Sequence, residues 1–179
     1  MKVNTVVVNL VAGPSAGKSA TAARVYALLK AKHVSCELAR EVAKDAVYEN
    51  NTCLLYDELK IFADQNHILH RLKGQVEVII TDSPLYLKLF YKPDTFDMDQ
   101  LVIDVAEQYD NINFFIERVG PYQTEGRLQT YEEALQCDHK LKELLAFHEI
   151  ACTHVPGNED GADQIVRAIM NKIRGNGNE

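Results

Sequence analysis

No window of this 179-residue sequence approaches the run of about eighteen apolar residues that a membrane-spanning helix requires, so a helical membrane span is excluded. Cysteine is sparse: Cys36, Cys53, Cys137 and Cys152 stand far apart, with no Cys-x-x-Cys pair and no Cys/His cluster. That spacing implies neither a disulfide framework nor a zinc site, and reduced, mostly buried thiols are expected. Internal repeats, low-complexity tracts and linkers are missing as well. At 46% hydrophobic and 25% charged, the chain has the composition of one compact domain, expected over residues 1–174 with a short flexible tail at 175–179. Met1 runs almost directly into a strand-like stretch that a removable signal peptide would take with it, so a cytoplasmic location is expected.

An overall excess of positive charge is also lacking, the formal net charge being −7. The charge is uneven: residues 1–40 hold six basic and one acidic residue, residues 41–179 thirteen and twenty-five. A large basic footprint for duplex DNA is not expected from such a chain. The positive end coincides with a glycine-rich loop, where a phosphate would want it.

The chain alternates strand-like and helix-like stretches. Val3–Ala12 is a short, nearly unbroken apolar run rich in β-branched residues, which suits a strand buried on both faces. Further strands are expected at Val34–Arg40, Val76–Thr81, Ile112–Ile116 and Ala151–Val155. Helices are expected at Lys18–Lys32, Glu41–Glu49, Leu54–Leu72, Met98–Tyr109, Thr130–Phe147 and Ala162–Ile173. The alternation predicts an α/β fold, a parallel sheet covered on both sides, and places ligands beyond the carboxyl ends of the strands.

At the first of those ends, Ala12-Gly13-Pro14-Ser15-Ala16-Gly17-Lys18-Ser19 matches the P-loop pattern in the variant with alanine at its first position. The glycines let backbone N–H groups surround a phosphate, and the helix start adds partial positive charge. Lys18 is expected to reach the β- and γ-phosphates of ATP, and the Ser19 hydroxyl to ligate Mg²⁺. The chain is therefore read as binding a nucleoside triphosphate.

Three absences narrow the class. No acid follows Asp82 in Thr81-Asp82-Ser83-Pro84, where a hydrolytic ATPase usually carries a glutamate that activates water. No Asn-Lys-x-Asp guanine-recognition motif occurs, and none of the 179 residues reads as the appended helical domain of the ring-forming ATPases, so that class is not expected. Phosphoryl transfer to an acceptor other than water is left in front.

A kinase has to place a hydroxyl in line with the γ-phosphate, assist loss of its proton and neutralise charge on the transferring group. Two carboxylates stand at expected strand ends, Glu41 after Leu38-Ala39-Arg40 and Asp82 after Thr81. Either can serve as general base while the other holds Mg²⁺ through water or binds the acceptor. Asp82 is favoured for the base and metal neighbourhood, and Glu41 with Arg40 for the acceptor. Gln65 and its neighbour Asn66 are further candidates for acceptor contact. The segment from Glu117 to Arg127 passes through Gly120 and Pro121 and bears Arg118 and Arg127, both expected to meet phosphate oxygens from a closing loop. Pro156-Gly157-Asn158 is a weaker candidate for passing beside the adenine. His67 and His70, three apart, lack a third ligand and read as a helix face, and Tyr86, Phe90 and Tyr91 read as core packing more than base stacking.

Together the P-loop after an apolar strand, Arg40-Glu41, Asp82-Ser83-Pro84, and Glu117-Arg118 with Gly126-Arg127 before a helix resemble phage-encoded small P-loop kinases. These are related to the ribosylnicotinamide kinase domain of the NadR-like family. The resemblance covers nearly the whole chain, and the P-loop is its specific part. It implies a five-stranded core in the order 2-3-1-4-5, an arginine-bearing lid, and a location in the host cytoplasm if the chain is phage-encoded. Acceptors in that group include nicotinamide riboside, nucleosides, nucleotides and 5-hydroxymethyluracil already in DNA, while related members bind GTP or lipid. Three readings stay open: a kinase for a nucleoside-like small molecule, a kinase acting on hydroxymethylated bases in DNA, and a non-catalytic nucleotide-binding regulator.

Overall fold

The computed structural model describes residues 3–93, 95–120 and 130–175. Five parallel strands, β1 (Val6–Val11), β2 (Cys36–Ala39), β3 (Val78–Thr81), β4 (Asp110–Glu117) and β5 (Thr153–Pro156), form one sheet in the order β2-β3-β1-β4-β5. This is the P-loop order, with β1 at the centre. All six residues of β1 and all four of β3 are buried, as their largely apolar sequences, broken only by Asn9 and Thr81, suit strands covered on both faces.

Alternation along the strands divides the core in two. Val6, Val8 and Leu10 face one side with Val78, Ile80, Phe114 and Ile116. Helices α1 (Lys18–Ala31) and α7 (Glu159–Gly175) cover that face through Ala22, Val25, Leu29, Ile165 and Ile169. Val7, Val11, Ile79 and Phe115 face the other side. There they meet α4 (Glu58–Leu72), α5 (Asp99–Ala106), α6 (Tyr131–Phe147) and a 3-10 turn at Leu85–Leu89. A Leu or Ile side chain fully removed from water contributes about 1.5–3 kcal/mol, so these two layers supply most of the favourable term.

Local chemistry moves several expected boundaries. The helix expected at Leu54–Leu72 is two helices, α3 (Thr52–Tyr56) and α4, because the Asp57 side chain accepts the Lys60 N–H and starts a new helix there. The preceding helix, α2 (Val42–Tyr48), begins one residue after Glu41, which occupies its N-cap position. Thr130 caps α6 in a reciprocal pair with Glu133. Helix α7 runs through Gly175, which the sequence assigns to the tail. None of the described helices is long and apolar enough to cross a membrane.

Candidate active site

Register gathers the chemistry-bearing residues at one edge of the sheet. Ala39 on β2 and Asn9 on β1 both pair with Thr81 on β3, so Arg40, Glu41 and Asp82 leave their strands at the edge where β1 turns into residues 12–19. Strands β4 and β5 end at that edge too, Glu117 pairing with Pro156.

The loop between β1 and α1 carries two residues at positive φ, Ser15 at 57° and Gly17 at 90°. This geometry turns successive backbone N–H groups toward one point, and α1 starts at Lys18 immediately behind it, so an anion there meets both donors and the helix dipole. Lys18 Nζ folds back over the loop, donating to the carbonyl oxygens of Ala12 at 2.8 Å and Gly13 at 3.0 Å. Ser19 is exposed on the first turn of α1. The β5–α7 turn lies against this loop: Gly157 N–H donates to Glu117 O at 2.8 Å, and a Cβ at Gly157 would sit 2.6 Å from Ala16 O. That close approach requires glycine.

Asp82 is half-buried at the end of β3, where Thr81 Oγ1 accepts the Ser83 N–H at 3.1 Å and shapes the turn. Glu41 is also half-buried. Arg40 is exposed and reaches Asp45 at 3.4 Å, a surface pair of little energetic weight. Gln65 does not present its side chain to a ligand as the sequence reading expected. It is 3% exposed; its Oε1 accepts the Val42 N–H at 3.1 Å and its Nε2 donates to Arg40 O at 3.3 Å. Its amide is spent on the backbone on either side of Glu41. Asn66, its neighbour, accepts a hydrogen bond from the Tyr109 hydroxyl at 2.6 Å.

Arg118 is likewise not a free loop arginine. Its Nε donates to Asp138 Oδ2 at 2.5 Å and its Nη2 to Ala134 O at 3.4 Å, and both charged side chains are largely buried. Asp138 on α6 also accepts the Gly13 N–H at 2.6 Å through its other oxygen. Helix α6, packed on the sheet face opposite α1, thus bonds the β1–α1 loop directly. Sequence reasoning missed Asp138, although a signal was present: with Ala134, Leu141 and Leu145 it lies on the buried stripe of α6, where a carboxylate is out of place unless paired. Arg127 and the other residues of 121–129 lie outside the described residues.

Tyr91 is a second residue that sequence reasoning set aside. Its ring stands edge-on to Phe90 with centroids 4.7 Å apart. Burial of the phenol, with added negative charge from Cys137, Glu41, Asp138 and Glu58, pushes its pKa up to about 12 even though 37% of the residue is exposed. The hydroxyl therefore keeps its proton well beyond neutral pH. Tyr86, by contrast, is buried in the core. Within the 3-10 turn, Lys88 pairs with Glu58 at the start of α4, one largely buried charge on another.

At the end of β4, Glu117 Oε1 accepts a hydrogen bond from Lys142 Nζ at 2.7 Å and lies 2.6 Å from His154 Nδ1. Burial acts to raise the Glu117 pKa, but the hydrogen bonds from Lys142 and His154 outweigh it and hold the carboxyl below its ordinary range. A cavity of about 470 Å³ opens toward the other end of β4 and β5, lined by Tyr86, Asn111, His148 and Cys152 among others. It lies at the ends of these strands opposite the loop and its carboxylates.

Among the described residues, no group of three or more His, Cys, Asp and Glu side chains is arranged to hold a metal ion. The oxygen donors at the loop edge, Ser19 and Asp82, fit a hard cation such as Mg²⁺, which is typically held by one or two protein oxygens plus phosphate and water.

The family model described as AAA domain matches residues 7–162. The chain belongs to that family. No curated protein matches the sequence. Among solved structures, a crystal structure of NadR protein in complex with NR superposes with a TM-score of 0.66 at 15% identity, covering 96% of this chain and 52% of that one. The chain thus spans about half the length of that relative. A thymidylate kinase from Ehrlichia chaffeensis superposes with a TM-score of 0.54 at 11% identity, covering 95% of this chain and 99% of that one. At these identities the likeness establishes the fold.

Proposed function

We propose that this member of the AAA domain family is an ATP-dependent kinase that transfers the γ-phosphoryl group to a hydroxyl of a nucleoside- or nucleotide-like acceptor. The observation that carries this reading is the shared edge: Glu41 follows β2 and Asp82 follows β3, the two strands on one side of β1, at the level of the loop over residues 12–19. No acid follows Asp82 to activate water. The likeness in fold to NadR protein in complex with NR and to a thymidylate kinase supports the acceptor class.

In this account residues 13–19 wrap the triphosphate with backbone N–H groups, and Lys18 exchanges its loop carbonyls for the β- and γ-phosphate oxygens. Ser19 and Asp82 hold Mg²⁺, which when bound neutralises charge on the phosphates. Asp82 accepts the proton of the attacking hydroxyl. Glu41 and Arg40 orient the acceptor, and Gln65 fixes Glu41 by clamping the peptides around it. Arg127 is assigned to the phosphates on its sequence context alone.

The test is ADP formation from Mg-ATP with a panel of acceptors, with products identified by mass spectrometry. The panel holds nicotinamide riboside, nucleosides, nucleoside monophosphates, and duplex DNA with and without 5-hydroxymethyluracil. A phosphorylated small molecule is expected. Label confined to hydroxymethylated DNA moves the acceptor to a base in DNA, and nucleotide binding with no acceptor-dependent turnover contradicts the kinase reading.

A further inference from the structure

The least expected group beside the phosphate loop is a carboxylate. Asp138 places one oxygen 2.6 Å from Gly13 N and the other 2.5 Å from Arg118 Nε. Space is as tight as the bonding: a Cβ at Gly13 would meet Asp138 Oδ1 at 2.7 Å, Cys137 Cβ at 3.1 Å and Ala134 O at 3.2 Å. The second residue of the loop is therefore glycine because α6 lies on it. A negative charge so close to a triphosphate site is adverse unless it is cancelled locally. Arg118 cancels it, and its Nη2 bond to Ala134 O turns the guanidinium further onto α6.

We propose that Asp138 is a positioning residue for the phosphate loop, holding Gly13 through its N–H, and that Arg118 is the counter-charge of Asp138 rather than a phosphate ligand. The inference rests on the reading of residues 12–19 as a nucleoside triphosphate site. Removing the arginine alone exposes the loop to an uncompensated carboxylate. Removing both charges together, by Arg118→Gln with Asp138→Asn, leaves a neutral pair whose new side-chain amide still offers the Gly13 N–H an oxygen.

The test is calorimetric titration of Mg-ATP and of AMP against the wild type and four variants checked for native fold by circular dichroism. The variants are Arg118→Gln, Asp138→Asn, Asp138→Ala and the double Arg118→Gln/Asp138→Asn. Arg118→Gln is expected to weaken ATP about tenfold or more and AMP far less, because repulsion scales with phosphate charge. The double variant returns to within about threefold of the wild type, a neutral pair being tolerated where a lone buried charge is not. Asp138→Ala binds ATP about tenfold more weakly than Asp138→Asn, since the two differ in the acceptor left for Gly13 N–H. A purely structural role lowers melting temperature without this dependence on phosphate number. Should Arg118→Gln fail to fold, the double variant and the comparison of Asp138→Asn with Asp138→Ala still decide. A double variant more than tenfold weaker than wild type, or equal affinity for Asp138→Asn and Asp138→Ala, overturns the proposal. A wild type that binds no nucleoside triphosphate overturns the functional reading beneath it.

Discussion

Gln65 Oε1 accepts the N–H of Val42 at 3.1 Å, the residue directly after Glu41. With the second bond, from Gln65 Nε2 to Arg40 O at 3.3 Å, a buried amide on α4 brackets the peptide that carries the candidate acceptor carboxylate. Gln65→Leu breaks both bonds and buries the partners. It should cost about 1–3 kcal/mol in a urea titration. If turnover is assayed, KM for the acceptor should rise more than KM for ATP. Equal effects on both would detach Gln65 from the placement of Glu41.

Lys18→Ala should abolish transfer, because its ammonium is the positive side chain assigned to the β- and γ-phosphates. Asp82→Asn should lower kcat by about 10²–10⁴, the usual worth of a positioned general base, with a smaller change in ATP affinity. Wild-type turnover in Asp82→Asn would remove Asp82 from the chemistry.

Gly157→Ala puts a methyl group against Ala16 O, Glu117 O and Ile116, with approaches of 2.6, 3.0 and 3.0 Å. Two of these neighbours are backbone, so the β5–α7 turn or the phosphate loop has to move. Overpacking of this kind costs about 1–3 kcal/mol. Thermal unfolding and ATP titration should both show the loss; an unchanged ATP affinity would mean that the turn does not support the loop.

The thiols should separate cleanly in alkylation with iodoacetamide followed by mass spectrometry. Cys53 is exposed and should react first. Burial pushes the Cys152 pKa up to about 11, so it should stay unmodified near neutral pH and react in native protein only as the pH approaches that value. Early modification of Cys152 would contradict its placement against the sheet.

Glu117 supplies a pH dependence. Its folded-state pKa is held below the ordinary value, so the native state binds fewer protons than the unfolded state through the carboxylate range. Its contribution is present above the unfolded pKa and lost as pH falls through the folded one. Denaturation curves from neutral to acid should be steeper for the wild type than for Glu117→Gln. Parallel curves would show that Lys142 and His154 do not engage it in solution.

The fold was largely legible because its strands are buried on both faces and its glycine loop has one structural use. Val6–Val11 and Val78–Thr81 show no polar alternation, as suits strands of a sheet covered on both faces. The strand order, implied by the resemblance, is the observed one. The split at Asp57 escaped because the apolar periodicity continues across it, and only the side-chain cap to Lys60 reveals the break. Arg118 was read by its position after a strand, while its environment depends on a residue twenty positions later on α6. Such pairing is a property of packing, and sequence offered only the oddity of an acid on a buried stripe. The sequence does not reveal that the Gln65 amide bonds the backbone around Glu41, because a buried amide serves backbone as readily as ligand.

The most direct measurement follows the γ-phosphate itself. With γ-labelled ATP, Mg²⁺ and a hydroxyl-bearing nucleoside or nucleotide, label should leave ATP only when the acceptor is present and should appear on it, and Lys18→Ala should show neither. Label released entirely as inorganic phosphate, at a rate indifferent to every acceptor, would contradict the account and make water the substrate of this site.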